Sequence, residues 1–188
     1  ENKSYGTITY GVNPDQSTAD EADDLLLYHN ANFVPKNDLK EEKLDIQFNH
    51  AFCRVDIEVT IGSEFNATNG LAENPIQGIR VEGTKTTAEI GFASASPTIT
   101  AKGDATSIIP TPGDFTPAAS AANQAVARYS CMVIPQTADL NIVLHTSDKE
   151  YEWTGTQMAL ESGKQYTLKL NMTKKSTTAR KFILRERK

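Results

Sequence analysis

Apolar residues recur every second position along much of the chain. In 165–173, Tyr166, Leu168, Leu170 and Met172 share one face, and Gln165, Thr167, Lys169, Asn171 and Thr173 share the other. That spacing predicts a half-buried strand of an antiparallel sheet. The same alternation marks Leu44, Ile46 and Phe48, then Cys53, Val55, Ile57, Val59 and Ile61. Parity changes between Phe48 and Cys53, so 49–52 must hold a bulge, bend or turn. Further strands are expected over 5–10, 76–82, 86–92, 125–134, 140–145 and 151–153, with a weaker one at 25–28. Turn chemistry separates these runs, as in Thr68-Asn69-Gly70, Ser147-Asp148-Lys149 and Glu161-Ser162-Gly163.

Helical periodicity is nearly absent. Ser17 and the residues after it could open one short helix, and Thr156 to Leu160 one helical turn. Threonine supplies 21 of the 188 residues, which suits pleated surfaces because β-branching stiffens χ1. Segment 94–123 holds Pro97, Pro110, Pro112 and Pro117 and reads as a long, partly irregular connection or an edge excursion. The expected fold is all-β: an antiparallel β-sandwich with little helix.

Composition narrows the function. A net charge of −5 argues against nucleic acid as a partner, because phosphate binding needs a basic surface. No apolar run approaches the roughly 20 residues of a spanning helix. The charge is uneven: nine of the 19 Lys/Arg but one of the 24 acids lie in 164–188. Cys53 and Cys131 have no CxxC spacing, which leaves a single disulfide or two buried thiols as the alternatives.

No catalytic, cofactor or metal constellation emerges. His29, His50 and His145 lack metal spacing. His145 is expected in solvent, and His50, beside the parity switch, half-buried with its ring bonded to backbone freed by the bend. Asp56 and Glu58 belong with Arg54 on the outer face of their strand, where a solvated face explains them better than a paired-carboxylate cleft. Asn13-Pro-Asp15-Gln-Ser17 with Asp24 only partly matches a calcium loop, since Thr18 stands where the glycine belongs. Phosphate-loop and nucleophile-elbow motifs are missing.

Several stretches, in order, resemble the fimbrillin-like family: Leu44-Asp-Ile-Gln-Phe-Asn-His50 running into Ala51-Phe-Cys-Arg-Val-Asp-Ile-Glu-Val59, the preceding Asp24-Leu-Leu-Leu-Tyr28, then Ile76-Gln-Gly-Ile-Arg-Val81. Tyr129-Ser-Cys-Met-Val-Ile-Pro-Gln-Thr137 and Leu160-Glu-Ser-Gly-Lys-Gln-Tyr-Thr-Leu168 complete the set. The resemblance implies transthyretin-like sandwich domains in exported, usually lipid-anchored outer-membrane proteins that serve as fimbrial subunits, anchors or tips. It also implies association with other fimbrial subunits by strand addition, after an N-terminal strand is lost in polymerising members. This chain departs from the pattern in two respects. About fifteen residues follow Thr173 where relatives carry a second domain, and neither a lipid-attachment cysteine nor an export signal is present. The expectation is therefore a sandwich domain over 1–173 and a basic extension over 174–188.

Within that extension Phe182, Ile183 and Leu184 form a short apolar core flanked by charge. Two readings compete: a strand that pairs with its own sheet or a partner, and a solvated basic arm. Tyr151 and Trp153 are the only local aromatic pair that could serve a host or glycan ligand, although alternation with Glu150 and Glu152 favours packing for both. The reading that follows is a non-enzymatic surface protein of structural or adhesive type. A carbohydrate- or ligand-binding sandwich module is the alternative.

Overall fold

The structure is a computed structural model, and it describes residues 6–18, 24–30, 33–39, 43–94 and 96–186. The strands are β1 (Thr7–Gly11), β2 (Leu26–Leu27), β3 (Asn49–His50), β4 (Cys53–Ile61), β5 (Ile76–Glu82), β6 (Lys85–Gly91) and β7 (Thr98–Ala105). They continue with β8 (Thr111–Thr116), β9 (Ala125–Val133), β10 (Gln136–Thr146), β11 (Glu150–Leu160), β12 (Lys164–Met172) and β13 (Thr177–Glu186). A single-turn helix, α1 (Pro35–Asp38), and a 3-10 turn at Ser63–Phe65 are the described helical elements.

Five strands form the largest sheet in the order β13-β12-β4-β9-β8. A second sheet, β11-β10-β5, and a third, β1-β6-β7, cover its inner face. Alternation explains the sandwich: Val55, Ile57 and Val59 of β4 and Leu168 and Leu170 of β12 meet Leu140, Ile142 and Leu144 of β10 in one core. Pairing is antiparallel except between β12 and β4, which run parallel from Gln165–Arg54 to Met172–Ile61. The expected antiparallel neighbour of β12 is β13 alone.

The parity switch is real. Ala51 and Phe52 bend the chain between β3 and β4, and both are buried, with Phe52 stacked 5.8 Å from Tyr10 of β1. Upstream of it the expectation fails. Residues 44–48 form no strand, and Leu44, Ile46 and Phe48 are exposed, because among the described residues no ladder of hydrogen bonds runs along this stretch until Leu27 pairs with Asn49.

Segment 94–123 is more regular than its prolines suggest, for it contains β7 and β8. Pro112 is tolerated because β8 lies at a sheet edge, where a missing N–H breaks no ladder on the open side. The turn expected at Thr156 to Leu160 is instead strand β11, whose register with β10 slips between Ala138 and Leu140. Gln157 takes φ +49° at that slip, and its N–H donates to Asp139 Oδ1 at 2.8 Å. The helix expected after Ser17 falls mostly on 19–23, outside the described residues. Ser17 itself sits in a turn, its N–H bonded to Asp15 Oδ1 at 3.1 Å.

Two side-chain amides replace strand residues. Gln16 Oε1 accepts from Met132 N–H at 2.8 Å and Nε2 donates to Met132 O at 3.0 Å, which extends the edge of β9 beyond its last β8 partner. Gln136 treats Lys85 the same way, with both bonds at 3.0 Å, and so ties the β9–β10 corner to the start of β6. Glycine is required at Gly83 (φ +87°), where a Cβ would overlap the Asp139 carbonyl.

Candidate interaction surfaces

Sandwich proteins present chemistry at sheet edges and on the solvent face of the sheets. The five-stranded sheet has two edges of different character. At β8 the edge is broken by Pro112 and by a loss of register between Pro112 and Phe115. The opposite edge is β13, ten residues without proline or glycine, antiparallel to β12 from Lys164–Glu186 to Met172–Thr177 with one slip. Phe182, Ile183 and Leu184 lie in its middle, in register with Leu168, Thr167 and Tyr166. The residues after Thr173 thus continue the sheet of the residues before it, through a turn in which Thr173 N–H donates to Ser176 O at 2.8 Å.

On the outer face of β4, Arg54 Nε donates to Asp56 Oδ1 at 2.8 Å. Lys169 Nζ donates to Glu58 Oε1 at 2.7 Å, with Arg128 Nε 3.5 Å from Oε2. The Lys169 hydrogen bond, helped by the charges of Lys169 and Arg128, holds the Glu58 carboxyl below its ordinary range despite partial burial. Asp56 and Glu58 thus lie on the outer face with Arg54, as parity predicts, but each is paired with a cation and only partly exposed.

Tyr151 is 5% exposed and packs 6.0 Å from Phe65, with Lys149 Nζ 4.6 Å from its ring centroid. Burial raises its phenol pKa. Trp153 is half-buried against the core. The two side chains therefore do not form a shared exposed platform.

His145 is exposed, 3.6 Å from Glu150 Oε1. His50 is half-buried, and its ring Nδ1 meets the Asp24 carboxylate at 2.9 Å. A bend leaves backbone groups unpaired only where no neighbouring strand takes them. Here β2 lies alongside, and Ala51 N–H donates to Leu25 O at 2.8 Å. Asp15 is fully solvated, and its hydrogen bonds from Ser17 lower its pKa. Asn13 and Asp15 close consecutive side-chain turns. Among the described residues no three His, Cys, Asp or Glu side chains group as metal ligands do.

Cys53 and Cys131 are both buried free thiols on adjacent strands, and Cys53 donates to Val133 O at 3.1 Å. Burial drives the Cys131 pKa far above its ordinary value. Sequence reasoning passed over Gln16 and Gln136; the Pro-Gln-Thr motif was the one signal pointing at the second.

Comparison with known proteins places these features. A structural match links the chain to a candidate cell adhesion protein of Bacteroides uniformis, at 16% identity and TM-score 0.63, covering 96% of this chain and 65% of that one. A second, from Bacteroides ovatus, matches at 14% identity and TM-score 0.63, covering 97% and 60%. The chain therefore spans less than two thirds of the length of either relative, and at these identities the likeness concerns the fold. No curated protein matches by sequence. The fimbrillin-like family model matches residues 1–182, and this chain belongs to the fimbrillin-like family.

Proposed function

We propose that this protein is a non-enzymatic component of a fimbria, exposed at the cell surface, which joins other fimbrial subunits by strand addition along β13. The observation that carries the proposal is the placement of β13, a ten-residue strand at the outer edge of the five-stranded sheet. An edge strand leaves one row of N–H and C=O groups for another chain to satisfy, and β8 at the opposite edge is blunted by Pro112 and its bulge. Membership of the fimbrillin-like family supports the same reading. Export, and attachment to the outer membrane through a lipid anchor, belong to the proposal.

Charge selects the partner. Arg180, Lys181 and Arg185 lie in β13 against Glu186 alone, so two copies of the strand repel, whereas a strand bearing acidic residues is attracted. Association is expected to be heterologous, head to tail, as an open filament requires. Light scattering of the purified chain across a concentration series tests this, with a free peptide of sequence Thr177–Glu186 as competitor. Concentration-dependent assembly that the peptide suppresses supports the proposal. Deleting 177–188 with no change in assembly or melting temperature would refute it.

A further inference from the structure

The outer face of the five-stranded sheet is indented. Strand β8 pairs with β9 at Pro112–Tyr129, loses register, and resumes at Phe115–Ala127. Gly113 lies in that bulge, where a Cβ would stand 3.3 Å from the Arg128 carbonyl oxygen. Next to the bulge the sheet carries short side chains, Ser130 on β9 and Thr167 on β12, between rows of long ones. An open depression of about 410 Å³ results, within the size range of small-molecule sites.

Its chemistry is distinctive. Asp56 lies between Thr167 and Ser130 in register, and its two oxygens accept from Arg54 Nε and Gln165 Nε2. Glu58, one row along, is held by Lys169 and Arg128. The charges thus neutralise one another in place, and with Asp114 at the rim the lining carries, among the described residues, no surplus cation of the kind an anion site needs. The Ser130 and Thr167 hydroxyls bond no other described residue, and the terminal amino groups of Arg54 are likewise uncommitted. Hydroxyls that both donate and accept, beside carboxylate oxygens fixed by their ion pairs, complement a ligand that also donates and accepts at each position. Sugar hydroxyls have that property.

We infer that this depression binds a neutral saccharide, a mono- or disaccharide portion of a glycan. The site is independent of the β13 edge, so it stands whether or not strand addition occurs there. Asp56 and Arg54 form its fixed floor, and Ser130 and Thr167 make the bonds that the free protein leaves to water.

Amide chemical shifts of the isotope-labelled chain test the inference, titrated with galactose, mannose, N-acetylglucosamine and lactose up to about 20 mM, enough to saturate a site with Kd near 1 mM. At least one of these sugars should shift the amides of Ser130, Thr167 and Gly113. The double substitution Ser130→Ala/Thr167→Val removes both hydroxyls but spares every ion pair. It should weaken binding roughly tenfold, the equivalent of about 1.4 kcal/mol, at an unchanged melting temperature. No shift at those amides across the panel overturns the inference, as do shifts that the double variant retains. Tighter binding of glucuronate or inorganic phosphate than of any neutral sugar also overturns it.

Discussion

Segment 44–48 and strand β4 lie within a few residues of each other and carry the same two-residue alternation, yet Ile46 is 48% and Phe48 58% exposed while Val55, Ile57 and Val59 are at most 1% exposed. The difference is in the backbone. Strand β4 has β12 on one side and β9 on the other, so its residues from Arg54 to Ile61 have neighbours on both edges and its odd-numbered side chains are pressed onto β10. Residues 44–48 have no such ladder among the described residues, and without one the alternating face has nothing to close over it. Apolar spacing states what a segment can bury. Whether it does so depends on partners for its N–H and C=O groups.

The largest effect that can challenge this contrast is a truncation in β4. Ile57→Ala should destabilise the fold by about 2–5 kcal/mol, since the side chain is 1% exposed and central to the core. Urea denaturation measures it. A loss under about 1 kcal/mol would mean that the β4 face is not the centre of the core, and the comparison would fail from its buried side.

Much of the architecture could be read in advance because two-sided burial leaves a local signature. The odd-numbered face of β4 and the even-numbered face of β12 are each visible within one strand, and β5 was read at its observed bounds. What escaped depended on distant contacts. The parallel pairing of β12 with β4 joins residues 111 positions apart, and no local pattern distinguishes it from an antiparallel one. Strand β7 is exposed along most of its length, so it has little alternation to show. The extension of β11 past Trp153 relies on Asp139 capping Gln157 from the neighbouring strand. The candidate saccharide site was divided in the same way. Arg54, Asp56 and Glu58 could be placed together on the outer face from parity alone, whereas Ser130 and Thr167 join them only through register.

An effect of middle size tests the claim that backbone partners, more than apolar spacing, decide which segments are ordered. Gln136→Leu keeps the side chain's bulk at a half-buried position but removes the bonds to Lys85 N–H and O. Leaving such groups unpaired costs about 1–3 kcal/mol. The urea midpoint should fall between those of Ile57→Ala and the unaltered protein, and hydrogen exchange should quicken most at the Lys85 amide. Unchanged exchange there would show that water replaces the glutamine fully.

The smallest expected effect is the most informative about segment 44–48. Phe48→Ser removes the most exposed of its apolar side chains, and an exposed ring contributes little to the folded state, so stability should stay within about 0.5 kcal/mol of the unaltered protein. The same ring buried would cost about 3–5 kcal/mol on truncation, comparable to Ile57→Ala. The two outcomes are far enough apart to be separated by one pair of urea curves. If Phe48→Ser falls in the higher range, the alternation of Leu44, Ile46 and Phe48 is closed over after all, and the distinction between this segment and β4 disappears. If it stays in the lower range, the pattern that resembles a strand here is apolar surface, and its solubility cost should be relieved by the serine.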